Sequence, residues 1–384
     1  MSARVRPELE AEQALLGACL IDPAQLAAVR PWLEPRHFYR PAHRAFYALL
    51  LAQHDAGHPA LAPGAGKEVR DRWALDAIGA AARTVPGFGP TQGHTLVANC
   101  PNARHAAAYG RMVLETSVRR GLEEHAHRLL NAARSGDVRA TERMTEALTE
   151  VIAQLTEDWG SADRRPAQPL PSAPPPQMEG RAAERAREHE RLLLSALTAR
   201  PAQIREIAGW LSADDFLDEG HRRIYRAVAA LGHRHEPVDE LTVLWEVRRR
   251  GGLGSTLSAD QVRDACRGAY PADPGYVAEL VLQASLLRAA ATSAGLVRVM
   301  ALDASVSAGP LLGAAVDALG PTENVRRRLH TLDVPRPGPQ VVVGALRQGA
   351  ALSRTHTAPV RQAGATAESG AEVAPSRAVS RSTP

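Results

Sequence analysis

Glu12-Gln13-Ala14-Leu15-Leu16-Gly17-Ala18-Cys19-Leu20-Ile21-Asp22-Pro23 decides the architecture, because a related stretch stands 178 positions later as Glu190-Arg191-Leu192-Leu193-Leu194-Ser195-Ala196-Leu197-Thr198-Ala199-Arg200-Pro201. Read alone, Leu15, Leu16, Cys19 and Leu20 share one face of a helix, and Asp22-Pro23 ends that helix and begins the next. Read with its echo, the stretch opens a gapless window from Glu12 to Pro59 in which fifteen positions coincide. Pro23-Ala24-Gln25 meets Pro201-Ala202-Gln203, Trp32-Leu33 meets Trp210-Leu211, Phe38 meets Phe216, His43-Arg44 meets His221-Arg222, and Tyr47 meets Tyr225. Aromatics are only 4% of the chain, so three aromatic coincidences in one window mark a duplicated domain.

The periodicity within each copy is helical. Leu26, Val29, Trp32 and Leu33 continue at three- and four-residue steps to Pro35, and Pro41 to Gln53 carries Phe46, Tyr47, Leu50 and Leu51. Trp32 and Trp210 sit at core positions of this pattern rather than on a base-stacking surface. Each copy then ends in a longer pattern. Asn102 can cap a helix from about Ala103 to Ala133, Ser135-Gly136-Asp137 makes a turn, and Asp137 caps the return helix carrying Val138, Leu148, Ile152 and Leu155. In copy two Asp273-Pro274 is a cap followed by proline at the first helical position, and the return helix near Pro310 to Leu319 reads as short. No stretch alternates with period two. The expected fold is all-α: two tandem domains, each a small multi-helix head followed by a helical hairpin.

Two breaks divide the 384 residues. Six prolines lie between Asp158 and Gly180, describing a semi-extended spacer, and beyond Pro321 the chain is rich in Pro, Gly, Ser, Thr and Arg with no aromatic residue. The expected layout is copy one at 7–157, a Pro-rich linker at 158–180, copy two at 181–320, and a disordered Arg/Pro-rich tail at 321–384.

Composition excludes much chemistry. Of 46 basic residues only Lys67 is lysine, so Schiff-base, pyridoxal-phosphate and phosphate-loop chemistry would all rest on one position. Around it, Gly64-Ala65-Gly66-Lys67 lacks the glycine needed at Leu61 and the hydroxyl needed at Glu68 for G-x-x-x-x-G-K-[ST]. No catalytic triad, paired catalytic carboxylates or activated cysteine stands out, and no cofactor is expected. Cys19, Cys100 and Cys266 are odd in number and form no C-x-x-C, which reads as a reducing compartment without a disulfide framework. Among fourteen histidines the closest sets, His54 with His58, His125 with His127 and His233 with His235, lack the further ligands that tetrahedral zinc takes. The N-terminus has no apolar run after its charges, and no aliphatic run approaches the ~20 residues of a membrane span, so the expected location is the cytoplasm, with no membrane contact.

The net charge of +4 is unevenly placed: residues 321–384 carry nine arginines against four acids, leaving −1 for residues 1–320. Such a tail can hold DNA weakly and without sequence preference through counterion release, and can equally serve as a solubilising tail. Arg111, Arg119, Arg120 and Arg128 on the first hairpin helix interleave with Glu115, Glu123 and Glu124, a pattern read as a solvated salt-bridged face rather than a DNA-binding stripe.

The opening stretch, together with Phe38-Tyr39-Arg40-Pro41-Ala42-His43-Arg44-Ala45-Phe46, resembles the N-terminal domain of DnaB-type bacterial replicative helicases. Asp214-Asp215-Phe216, Gly220-His221-Arg222-Arg223-Ile224-Tyr225, Pro237-Val238-Asp239 and Leu241-Thr242-Val243 resemble it more distantly. The resemblance covers both copies. It implies a helical head and hairpin that dimerises through hairpins, forms the collar of a hexameric helicase and meets primase. Copy one departs from it after Pro59, where a Gly- and Pro-rich insertion through Gly93 leaves no middle helix readable. The 64 residues after 320 are too few for a RecA-like motor.

The expected function is therefore a non-catalytic, replication-associated protein-interaction module that pairs with itself through hairpins, with a replicative helicase or with primase. The alternative is a DNA-binding or nucleoid-associated protein acting through its tail. His43, Arg44, His221 and Arg222, repeated at the common offset, are candidates either for structural pairing at a helix start or for partner contact. Whether the two copies pair within one chain or between chains is open at this level.

Overall fold

The computed structural model describes residues 6–62, 64–160, 180–254, 256–267 and 273–333. Among them every regular element is helical, with one isolated bridge between Gly254 and Leu257. The linker residues 161–179 and the tail residues 334–384 lie outside the described set.

Copy one begins with α1 (Pro7–Ile21) and α2 (Ala24–Val29), followed by a 3-10 turn at Pro35–His37 and α3 (Pro41–Asp55). Leu15, Leu16, Leu20, Phe38, Phe46 and Tyr47 are fully withdrawn from solvent in its core. The insertion, where no middle helix is readable from sequence, forms α4 (Lys67–Thr84) and α5 (Pro90–Ala98). Their apolar stripe is built from Trp73, Ala77, Ala81 and Leu96, which present too little hydrophobic contrast to be read as periodicity. Trp73 is buried with its indole N–H donating to the Cys19 carbonyl at 3.0 Å, and Phe88 stacks on Phe46 at 4.5 Å. Gly17 permits the close approach of α5, since a Cβ there would meet the Leu96 carbonyl oxygen at 2.1 Å. Gly66 precedes α4 and Lys67 is its first residue, so the glycine-rich segment serves a helix start.

Copy two repeats the head with α8 (Gly180–Ala199), α9 (Ile204–Ala208), a 3-10 turn at Ala213–Asp215, α10 (Glu219–Arg234), α11 (Glu240–Arg249) and α12 (Ala259–Cys266). Leu193, Leu194, Phe216 and Tyr225 occupy in this core the places of Leu15, Leu16, Phe38 and Tyr47.

Both hairpins form. In copy one α6 (Ala106–Ser135) turns at Gly136, in the left-handed region at φ 79°, into α7 (Val138–Gly160), whose start is capped by the Asp137 carboxylate accepting from the Ala140 N–H at 2.8 Å. In copy two α13 (Pro274–Leu302) leads to α14 (Ala308–Asp333). Here the expectation of a short return helix and a tail from 321 is corrected. The helix runs through Pro321 to Asp333. Proline at 321 cannot donate to the Asp317 carbonyl, but one residue on Ser293 of α13 donates to the Ala318 carbonyl at 2.5 Å and lies 2.9 Å from the Thr322 hydroxyl, stitching the helix across the break. The far half of α14 then places Val325 and Leu329 in the copy-two head. Likewise Asp158, expected in the linker, belongs to α7.

The two hairpins pack on one another within the chain. Val118, Leu122, Ala126 and Leu129 of α6 share one core with Ala290, Ala294 and Val297 of α13 and with Leu311 and Leu312 of α14. The arrangement is antiparallel: Arg119, midway along α6, reaches the Ala301 carbonyl at the end of α13, Glu123 one turn later faces Arg298, and Gly309, first turn of α14, approaches Trp159 near the end of α7. By length and composition α13 could span a bilayer, with mean hydropathy 1.4 in its most apolar window, but here it is the central helix of this four-helix core.

A chain carrying an inserted protease site within residues 161–179 should stay a single species in gel filtration after cleavage, because the bundle holds the halves together. Ala294→Glu would bury an unpaired carboxylate at a cost of about 3–5 kcal/mol, and the cleaved fragments should then elute separately.

Candidate interaction site

The repeated residues converge on one polar knot in each head. Glu12 in α1 is buried, and its carboxylate accepts from the backbone N–H of Tyr39 and, at 3.5 Å, of Arg40, while His43 Nδ1 lies 2.7 Å from Oε2. Glu190 in α8 accepts from the N–H groups of Leu217 and Asp218, and His221 Nδ1 lies 3.0 Å away. Arg44 donates to the Phe38 carbonyl at 3.1 Å and Arg222 to the Phe216 carbonyl at 3.0 Å. Tyr47 and Tyr225 donate to the carbonyls of Leu33 and Leu211 at 3.3 and 3.0 Å. The loop entering α3 or α10 has unpaired backbone donors, and a single buried carboxylate from the first helix satisfies them. In each head the histidine, His43 or His221, is thus brought to the carboxylate, and the arginine, Arg44 or Arg222, to a carbonyl of the loop.

Below the knot each head is joined to its own hairpin. In copy one the 3-10 turn residue His37 places Nε2 3.2 Å from Asp158 of α7, and Arg120 of α6 donates to the His37 carbonyl at 3.2 Å. In copy two the corresponding turn residue Asp215 forms a paired bridge to Arg328 of α14 at 2.6 and 2.9 Å, accepts from Ser285 at 2.9 Å, and has its carbonyl held by Arg288 of α13 at 2.9 Å. A cleft of about 840 Å³ opens beside this joint, between Trp210, Asp215, Arg288, Thr292 and Arg328. Asp215 and Arg328 neutralise each other there and Arg288 is held by backbone carbonyls, which suits a structural joint.

These joint residues were not singled out in the sequence. The signal for them is a second offset: Ser117 and Ser285, and Arg120 and Arg288, stand 168 apart, ten fewer than in the heads because copy one carries the insertion. Arg119 also departs from the expected solvated face. It pairs with Glu115 at 3.0 Å, but its guanidinium also donates to the carbonyls of Asp303, at 2.7 Å, and Val306, closing the tip of the second hairpin. Consecutive arginines on a helix point about 100° apart, so Arg119 faces the bundle tip while Arg120 faces the head. Arg128 with Glu124 is the pair that conforms to the solvated pattern.

The other candidates disperse. His54 contacts Arg30, His58 accepts from the Ala60 N–H, His125 meets the Gly121 carbonyl, and no group of three His, Cys, Asp or Glu side chains that could hold a metal occurs among the described residues. Trp32 and Trp210 are half-buried against their cores. All three cysteines are free, and burial pushes the thiol of Cys19 up to about 12 and that of Cys266 up to about 11.

Two outcomes follow from the knot and the joint. Glu190→Gln leaves one oxygen where two accept, and should cost about 1–3 kcal/mol in denaturant unfolding, with Glu12→Gln costing a similar amount. Burial lowers the His37 imidazole below its ordinary 6.5, outweighing Asp158 beside it. Below about pH 6.5 the unfolded chain therefore takes up a proton that the folded chain resists, so this contribution to stability is complete above pH 6.5 and declines as pH falls. His37→Gln should remove that part of the pH dependence in thermal unfolding measured between pH 5 and 8.

A family model for the DnaB-like helicase N-terminal domain matches residues 5–115 and again residues 182–283, together more than half of the chain. Each match runs through a head and stops inside α6 or α13. The replicative DNA helicase DnaB of Mycobacterium leprae (strain TN) is 33% identical over 129 residues, 34% of this chain and 20% of that helicase. The replicative DNA helicase DnaB of Geobacillus stearothermophilus is 34% identical over 122 residues, 32% of this chain and 25% of its own length. That of Treponema pallidum (strain Nichols) is 28% identical over 148 residues, 38% and 32%. The chain thus spans between a fifth and a third of these curated relatives. A head matched twice by one family model, with the same buried knot in both copies, places the chain in the DnaB-like helicase N-terminal domain family.

Proposed function

We propose that the protein is a non-catalytic, replication-associated interaction module of the cytoplasm, which presents a pre-paired set of helicase-type heads to a replicative helicase or to primase. The observation that carries this reading is the shared core of the two hairpins. A hairpin whose apolar stripe is already covered has no need of a second chain, so the outward surfaces available to partners are those of the heads. The single lysine and the missing G-x-x-x-x-G-K-[ST] pattern support a role without ATP turnover.

A second reading, DNA contact by the C-terminal segment, is favoured by where the charge lies. Arg326 and Arg328 belong to α14 and pair with Glu323 and Asp215, whereas residues 334–384 hold six arginines against Glu368 and Glu372. Such a segment binds DNA through phosphates, with steep salt dependence.

Tagged full-length protein should co-purify with the replicative helicase or primase of its own cell, and reproducible absence of both would remove the module reading. The purified chain should show no ATP hydrolysis; robust turnover would overturn its non-catalytic assignment. Salt-sensitive retention on DNA-cellulose should vanish when residues 334–384 are deleted if the second reading is right, and retention that survives deletion counts against it.

A further inference from the structure

The copy-two head carries an apolar face that its own core does not use. Asp239 caps α11, accepting from the N–H groups of Leu241 and Thr242 at 2.9 Å, and this start sets Leu241 and Trp245 one turn apart on the same side of the helix. They are 68% and 64% exposed, among the most exposed large apolar side chains described. Between them and Leu231 of α10 lies a groove of about 600 Å³. Its rim is basic. Arg248 lies over the Trp245 ring at 5.7 Å, and the buried Glu246 carboxylate is shared by Arg234, Arg249 and Arg250 at 3.1, 2.7 and 2.7 Å. Glu236 adds a second acid on Arg234, at 2.8 Å, so that, with the Asp239 cap, four guanidiniums face three carboxylates and positive charge remains in excess. Glu240 does not offset it, being paired with Arg267 at 2.6 Å.

We propose that this groove docks a peptide segment of a partner protein in which acidic side chains flank an aliphatic or aromatic anchor. The anchor fills the space between Leu231, Leu241 and Trp245, and the flanking carboxylates meet Arg248 and the outer faces of Arg249 and Arg250, whose side chains stay 58% and 45% exposed while they share Glu246. Aromatic and arginine side chains around a small apolar pocket have the composition of an interface hot spot. Other occupants fit less well. A second copy of the chain would bring two like-charged rims together, and residues 334–384 carry an excess of positive charge themselves. A nucleic acid would find one face of Trp245 covered by Arg248, which leaves a single ring face for stacking a base. The inference deepens the interaction-module reading, but its test uses neither helicase nor primase, so either can fail while the other stands.

The test is fluorescence anisotropy of full-length protein with a fluorescein-labelled peptide in which Asp alternates with Leu and Phe, beside its Lys-for-Asp counterpart and a labelled oligo-dT. Saturable binding of the acidic peptide is expected, weakened about tenfold or more by Trp245→Ala, weakened by Arg248→Glu, and unchanged by Leu75→Ala, which removes an equally exposed side chain from copy one. Both copy-two substitutions lie at the surface, so unchanged circular dichroism and thermal unfolding should accompany the loss. No saturable binding of the acidic peptide, equal binding of the Lys counterpart, or binding indifferent to Trp245→Ala would overturn the proposal, as would oligo-dT binding that alone depends on Trp245.

Discussion

Everything in this structure depends on the burial of α6 and α13 against each other. Each is a helix of about thirty residues whose head covers only its first turns. The remaining stripe, Leu122, Ala126 and Leu129 in one copy and Ala290, Ala294 and Val297 in the other, would stay in water in an isolated hairpin. Alanine at matched positions lets the two backbones approach closely, and the return helices close the core from either side. Because both stripes lie in one chain, pairing is unimolecular and carries no loss of translational freedom at association; the 161–179 segment needs only to let the second head swing to the far end of the first hairpin.

The heads were legible because their signals are strong and local. Leucine pairs, fixed aromatics and proline-marked helix starts recur at one offset, and Asn102, Asp137 and Asp273 announced the helix starts that they cap. What stayed hidden has a common cause, which is that small or polar residues do the packing. The stripe of α4 rests on Trp73 and two alanines, and α14 passes through Gly320-Pro321, a pair that reads as a stop unless Ser293 on another helix is known to face it. Arg119 and Arg120 are indistinguishable from a solvated charge run until the bundle tip and the head turn are placed on either side of them.

The candidate site was legible in its residues but not in its wiring. The offset of 178 identified Glu12, His43 and Arg44 with Glu190, His221 and Arg222, and helical periodicity can say that the histidine and arginine lie near a helix start. It cannot say that the glutamate closes on the loop more than twenty residues away, because that contact is set by how the first helix crosses the third. Two backbone N–H groups with no other partner make the carboxylate necessary, and a buried carboxylate in turn favours a histidine and an arginine close by.

The joint between head and return helix shows what pairing of this kind can specify. In copy one the turn offers the base His37 to the acid Asp158, whereas in copy two the turn offers the acid Asp215 to the base Arg328, with Arg120 and Arg288 holding the same turn carbonyl in both. The polarity is reversed between copies that share the buried knot and the arginine on the turn carbonyl. Exchanging the return helices would set His37 against Arg328 and Asp215 against Asp158, removing both attractions and creating a buried acid pair. Buried ion pairs contribute little net stability once desolvation is counted, and their best-attested use is to exclude wrong registers. Two homologous heads and two homologous hairpins in one chain face that problem, since the hydrophobic pattern alone would accept either head on either return helix. The reversed polarity of the two pairs disfavours that exchange.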